Sequence, residues 1–336
     1  MVIRDRREAG FSLIELMISA ALMGIVLVYL MQSFSAQQRT YVMVDQVTEA
    51  QQNLRAISDL VEREIRLAGF MVDEGGAVCG VDATNGADTL FVSDAAALDP
   101  ATAVQPTLGA RLSAGSVPAS GSVTLTLGSG DTVVLDGQPA YDSINADGVN
   151  DSDFRVGGGV IVYDRNSPSR GAACGTVTSV PSTTSLRVNF LAWTLGGAAA
   201  GAQLVAVPAH VYQINGTAQL LRDGDLLSDD VEDLQVAYFY DNNANNSVAD
   251  AGEGLGTTVA TSYAASAADN SNLRELRLNF VVRTRGSDPT FTQGVFQTTE
   301  NRTVVPAPTA QDSQTRRRVH TTTVRVRNVG NRGLLG

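Results

Sequence analysis

Gly10-Phe11-Ser12-Leu13-Ile14-Glu15, followed by an apolar run to Met31, is the stretch that decides how this chain is built. Three arginines, Arg4, Arg6 and Arg7, stand before it. About 20 apolar residues, each rising roughly 1.5 Å in a helix, cover the hydrocarbon core of a bilayer. The run is long enough to span one. Glu15 breaks the pattern. A carboxylate in hydrocarbon is costly unless something neutralises it, so its presence marks a functional position. A secretory signal peptide is cut after its apolar region, whereas the small-residue junction here, Gly10-Phe11, comes before it. The arginines favour a cytoplasmic leader, which places everything beyond about Gln32 across the membrane. No second apolar run reaches spanning length, so the chain is expected to cross once.

The helix is expected to continue past the membrane. Neither Pro nor Gly occurs from Gln37 to Ala68. Val44, Val47, Leu54, Ile57, Val61, Ile65 and Ala68 form one helical stripe. Asp45, Glu49, Arg55, Asp59, Glu62, Arg63 and Arg66 fall on the other face. The stripe is too short and irregular for a coiled coil, so it predicts packing on a sheet of the same chain. Gly69 can take a left-handed cap. A helix from Phe11 to Ala68 is about 87 Å long.

Beyond Gly69 the chain reads as β. Strands are expected at Thr89–Val92, Val123–Leu127, Thr132–Leu135, Val160–Tyr163, Thr176–Val180, Leu186–Phe190, Leu204–Val207, Val211–Ile214, Leu234–Tyr240 and Val319–Arg327. Gly128-Ser129-Gly130-Asp131 reads as a hairpin turn. Leu276, Leu278, Phe280 and Val282 alternate with Arg277, Asn279 and Arg283, as in a strand with one buried face. Ala95–Gly121 and Asp241–Asn272 read as loops. The fold class is α+β: residues 1–10 a leader, 11–69 a long helix, and 70–336 a large, mostly antiparallel β head.

The N-terminal pattern resembles the type IV prepilins, a group that includes type II secretion pseudopilins. The resemblance implies that a membrane peptidase cuts after Gly10, that the new N-terminal Phe11 is N-methylated, and that Glu15, fifth in the mature chain, serves subunit assembly. The physical sense is that Glu15 pairs with the new amine of a neighbour in a low-dielectric medium. Further stretches resemble the PilW-type minor pilins: Ile65-Arg66-Leu67-Ala68-Gly69-Phe70 at the helix end with Cys79 soon after, Asp230 to Tyr238, and Arg317-Arg318-Val319 through Val326-Arg327-Asn328, where Val326 replaces the usual Leu. Residues 95–225 are nearly unmatched. The resemblance implies a non-enzymatic pilus assembly protein. Its partners would be the prepilin peptidase, other minor and major pilins, and the inner-membrane assembly platform. Before assembly it would be a single-pass inner-membrane protein with a periplasmic head; afterwards it would lie in the pilus at the cell surface. An adhesive module and a type II secretion pseudopilin are the alternatives.

Charge and chemistry narrow the field. The net charge of −11 is uneven: residues 71–271 carry six Arg and 23 acids, and residues 272–336 carry 11 Arg and four acids. An acidic middle argues against broad nucleic-acid binding. The basic end is expected to face solvent or to pair with the acidic part of the head. All 24 basic residues are Arg. Cys79 and Cys174 admit two readings, a disulfide or two buried thiols, in a compartment where disulfides persist. Asp241, Asn243, Asn245, Asp250 and Glu253 space their oxygens as a calcium loop does, although Gly is missing at its sixth position and Glu at its twelfth. The other reading is an Asx-rich turn. Asn145, Asp147, Asn150, Asp151 and Asp153 form a second such cluster. The two histidines, His210 and His320, lie in strand-like runs without a nucleophile or metal motif, and read as structural.

Overall fold

The structure, a computed structural model, describes residues 12–70, 72–83, 85–94, 110–113, 121–126, 143–144, 150–151, 154–182, 185–192, 195, 201–265, 268–288, 291, 299–302 and 314–329. Its one helix among these longer than a turn or so, α1, runs unbroken from Leu13 to Leu67, 55 residues, or about 80 Å. The chain divides into two compact units, Met1–Glu49 and Ala50–Gly336, with the division inside α1.

In the first unit, the apolar residues of α1 from Leu13 to Met31 are exposed. In the second, Leu54, Ile57, Val61 and Ile65 are buried at spacings of three and four, and Ala68 follows just past the helix. The stripe is shorter than its sequence pattern suggests. Val44 is 58% exposed and Val47 half-buried, because the core takes in α1 only from Ala50 onward.

The end of α1 is closed by side chains from far along the chain. The Asn328 amide lies 3.1 Å from the Ala68 carbonyl and 3.2 Å from that of Leu67, serving carbonyls that a helix end leaves without partners. Gly69 turns with φ 75°, a conformation that favours Gly, and its N–H donates to Ser93 Oγ at 2.8 Å. Arg66 in the last turn complements the negative helix end.

The strands in chain order are β1 Val78–Val81, β2 Thr89–Ser93, β3 Ala110–Arg111, β4 Gly121–Thr126, β5 Ser143–Ile144, β6 Asn150–Asp151, β7 Gly159–Asp164 and β8 Ala172–Ser182. Then come β9 Ser185–Ala192, β10 Leu204–Ile214, β11 Leu220–Arg222, β12 Asp225–Ser228, β13 Val231–Tyr240, β14 Gly254–Leu255, β15 Leu273–Arg283 and β16 Arg317–Arg325. All strand pairings among the described residues are antiparallel. The larger sheet runs β1-β2-β10-β7-β8-β9-β4, with β3, β11 and β12 at its margins; the smaller runs β14-β13-β15-β16. The α+β class therefore holds, as one long helix with a large antiparallel head.

Three readings need correction. Leu204–Val207 and Val211–Ile214 are one strand, β10, running through Pro208. A proline lacks a ladder donor, which normally keeps it out of central strands. Here its carbonyl accepts from Asp94 N at 2.9 Å, so its nitrogen faces the side where the neighbour changes from β3 to β2 and no ladder bond is lost. Strands β1, β11 and β12 form without any alternation in their sequences. In β1, a Cβ on Gly80 would stand 1.9 Å from the Tyr238 hydroxyl, so close packing fixes a glycine where a sequence suggests a turn. Ala95–Gly121 contains β3, and Asp241–Asn272 contains β14. Residues 128–135, read as a turn and a strand, lie outside the described residues.

Two cores result. One joins the stripe of α1 to Tyr212, Leu278, Phe280 and Val324 of both sheets. The other holds Val160, Val162, Leu186, Val188 and Phe190. Successive side chains of a strand point to opposite faces, so β7 feeds both: Ile161 and Tyr163 enter the first, Val160 and Val162 the second. Ile65→Ala should lower the unfolding free energy of the detergent-solubilised chain by about 2–5 kcal/mol, because it leaves a cavity in a packed core. Val44→Ala should change it by less than about 0.5 kcal/mol, as for an exposed site. Chemical denaturation reads both; equal effects would place the stripe wrongly.

Candidate functional site

The candidate site begins where α1 starts. Ser12 N donates to Glu15 Oε2 at 3.1 Å, and Leu16 N donates to Ser12 O at 3.2 Å. Ile14 N lies 3.4 Å from Ser12 Oγ. Glu15 thus reaches back as the acid of a Ser-x-x-Glu capping box. The Ser-x-x-Glu spacing is present in Ser12-Leu13-Ile14-Glu15, within the same residues that begin the apolar run. Gly10 and Phe11 lie outside the described residues. Behind Glu15, α1 carries a long apolar stretch, none of it buried. By length and composition this segment can cross a membrane.

Residues 5–31 match the family described as the prokaryotic N-terminal methylation motif. The chain carries a type IV prepilin N-terminus. Among solved structures, the type IV-like pilin TTHA1219 from Thermus thermophilus is similar at 15% identity, over 52% of this chain and 88% of that one, with a TM-score of 0.22. That score is too low to establish common geometry, so the prepilin assignment rests on the N-terminal motif. No curated protein matches the chain.

In the head, residues 65–70, 230–238 and 317–328 meet. Asn328 closes the helix end at Leu67 and Ala68. Arg317 of β16 forks onto Glu232 of β13, with Nη2 donating to Oε1 at 2.9 Å. Thr322 donates to Glu62 of α1 at 2.5 Å, and His320 Nε2 lies 3.2 Å from Ser58 Oγ. Asp233 of β13 pairs with Arg302, and the Gln235 amide donates to Gly86 O at 2.8 Å. The arginines of the C-terminal segment largely face acids of the same head. Arg277 donates to both oxygens of Glu300, at 2.6 and 2.8 Å, and Arg316 to Asp288 at 3.0 Å.

Cys79 and Cys174 form a disulfide, 95 residues apart in sequence, with both residues fully buried. It joins β1 to β8 across the intervening β2, β10 and β7.

The loop after β13 gathers the residues read as calcium ligands. Asp241 is buried and accepts from Asn245 N at 3.0 Å and Asn246 N at 3.1 Å. The Asn243 and Asn245 amides donate to Asp250 Oδ2 at 2.8 and 2.7 Å, which holds the Asp250 carboxyl below its usual range. Glu253 accepts from Asn242 N at 3.1 Å and Asp250 N at 3.3 Å. Asn246 takes the left-handed conformation, φ 61°, where a calcium loop carries Gly. As it stands, the loop satisfies itself as an Asx-rich turn. Among the described residues no group of three His, Cys, Asp or Glu is placed to hold a metal ion. Of the second acidic cluster only the backbone of Asn150 and Asp151, in β6, is described.

Closing a loop of about 100 residues restricts the unfolded chain, and losing such a bridge costs roughly 2–5 kcal/mol. Cys79→Ala with Cys174→Ala should therefore lower the melting temperature by several degrees relative to the oxidised chain. An unchanged melting curve would deny the bridge that role.

Proposed function

We propose that the chain is a minor pilin of a type IV pilus system, of the PilW type, which primes or caps fibre assembly from the inner membrane with its head in the periplasm. The prepilin N-terminus with its intramembrane Glu15 carries this reading. The junction of the helix end, β13 and Asn328 supports it, because those are the stretches that resemble this class of pilin. In this reading Phe11 gains a positive amine on cleavage, and Glu15 of one subunit meets the amine of another. Its partners are the prepilin peptidase, other pilins and the assembly platform, and its role is assembly without catalysis. Deleting the gene tests this: loss of fibres fits priming. Normal fibres that no longer adhere would instead indicate an adhesive module, and normal fibres with blocked protein export a type II secretion pseudopilin.

Mass spectrometry of the mature protein should find Phe11 at the N-terminus carrying one added methyl. An intact Met1 or a cut beyond Ala20 would contradict processing at Gly10.

Glu15→Ala should leave membrane insertion intact, since it removes a cost in hydrocarbon, and should reduce the amount recovered in fibres. Recovery equal to wild type would show that no pairing depends on Glu15.

We further propose that the loop of Asp241, Asn243, Asn245, Asp250 and Glu253 binds calcium. The left-handed Asn246 favours it, and an amide presents oxygen as readily as nitrogen on turning over. A ligand that binds only the folded state at a hundredfold excess over Kd adds about 2.7 kcal/mol. Millimolar calcium should raise the melting temperature by several degrees over a chelator, and Asp241→Ala with Asn243→Ala should abolish the difference. Identical curves would leave the loop a polar turn.

A further inference from the structure

Strand β16 ends the smaller sheet, with β15 as its neighbour on one side. It is nine residues long and keeps a regular register from Arg317 to Arg325. Backbone groups along an antiparallel strand point alternately to its two sides. Val326 N donates to Arg274 O at 2.9 Å, and Arg316 O accepts from Thr284 N at 2.9 Å, so the even-numbered residues face β15. Val319, Thr321, Thr323 and Arg325 therefore turn their N–H and C=O groups away from the sheet. None of the described residues bonds to those groups. Thr321, Thr323 and Arg325 are exposed.

Proteins blunt such an edge by keeping it short, bulging it, or placing Pro or Lys on it. At the opposite margin of the same sheet, β14 has two residues. The middle of β16 has none of these devices. Val319-His320-Thr321-Thr322-Thr323-Val324 is β-branched at every position except His320, which suits a strand. An open edge of this kind is a template for one more strand.

Two features select the strand that fits. On the core face of β16, α1 sets Ser58 and Glu62 against His320 and Thr322. The flank of α1 carrying Arg63 and Arg66, together with Arg327 and Asn328 just after β16, bounds a cavity of about 640 Å³. Leu67 and Phe70 also line it, 43% and 38% exposed. Of the acids there, Asp59 and Glu62, the second is already engaged by Arg66 and Thr322. On the outer face stands Arg325, exposed and, among the described residues, without an acidic partner. A second copy of the chain does not suit this edge. Two β16 strands paired antiparallel along their length would set Arg317 opposite Arg325, and like charges placed opposite one another destabilise a sheet.

We propose that the outer edge of β16 is a docking site for an extended, acidic strand of another protein, which joins the smaller sheet antiparallel to β16. Its backbone bonds to Val319, Thr321, Thr323 and Arg325. Its carboxylates lie on the face of Arg325, and its apolar side chains lie on the other face, toward Leu67 and Phe70. The main-chain ladder supplies affinity and the two faces supply selectivity. The docking depends on the head alone, so its success or failure is separate from that of the pilin reading.

The probe is a fluorescent decapeptide that alternates Glu with Val, added to the full chain in detergent. Two controls accompany it: the same peptide N-methylated at alternate residues, which removes its donors along one edge, and a peptide alternating Arg with Val. The Glu-Val peptide should bind, and both controls should bind at least about tenfold more weakly, a loss of one or two ladder bonds or of charge complementarity. Residue-resolved hydrogen exchange should show the Val319, Thr321, Thr323 and Arg325 amides exchanging fast in the chain alone and about tenfold or more slowly under saturating peptide, as bonded amides do. Thr323→Pro removes an outward donor without touching the ladder to β15, a substitution that edge strands tolerate. It should leave the melting curve unchanged and abolish peptide protection of β16. Arg325→Glu should reverse the preference between the Glu-Val and Arg-Val peptides. Outward amides already protected in the chain alone would show a covered edge and overturn this docking. So would absent binding of the Glu-Val peptide at millimolar concentration, equal binding of its N-methylated form, tighter binding of the Arg-Val peptide to the wild-type chain, or undiminished protection in Thr323→Pro. Should Thr323→Pro fail to fold, the N-methylated peptide on the wild-type chain decides.

Discussion

The head is organised around one obligation, the burial of Leu54, Ile57, Val61, Ile65 and Ala68. A helix that is apolar on one side must set that side against something. Here both sheets contribute to the core that receives it. The consequences spread outward. The last turn of α1 ends in the head, so its carbonyls need partners there, and Asn328 supplies them. The polar margin of the stripe also lies against strands, so Ser58, Glu62 and Glu64 acquire partners in β10, β11 and β16. The charged face is thereby less solvated than its composition suggests.

The N-terminal half of α1 has the opposite character. Its apolar residues are bare in the isolated chain, which is the condition of a segment whose solvent is lipid or other subunits. Glu15 is the single acid in that run. Its contact with Ser12 N places the carboxylate beside the backbone that follows Phe11. Capping and pairing are compatible, since a carboxylate accepts several hydrogen bonds. Within the proposed function, the same residue that starts the helix also registers one subunit against the next.

Much of this was legible because it depends on local pattern. The Gly10–Glu15 junction, the absence of helix breakers to Ala68 and the alternation in β15 each follow from a few consecutive residues. What stayed hidden depends on distant partners. Nothing local in Val78-Cys79-Gly80-Val81 announces a strand; Tyr238, far along the chain, requires Gly80. Pro208 looks like a break until the change of neighbours from β3 to β2 is seen. His210 read as structural because a histidine among apolar residues carries no sign of Asp94 and Asp223, which lie against its ring. Glu64 gives no local sign either: it sits beside outward-facing Arg63, and its partners Tyr212 and Arg222 come from the sheet. The basic residues of the C-terminal segment, in contrast, could be expected to find acids, because the acids lay in excess in the same head.

Within the proposed function, the central claim is that the exposed start of α1 lies against the N-terminus of another pilin once assembled. A photo-reactive amino acid in place of Leu16, next to Glu15, measures this directly in cells making fibres. The account predicts adducts joining this chain to the N-terminal segment of a second pilin subunit. Adducts to lipid alone in cells with assembled fibres would contradict it.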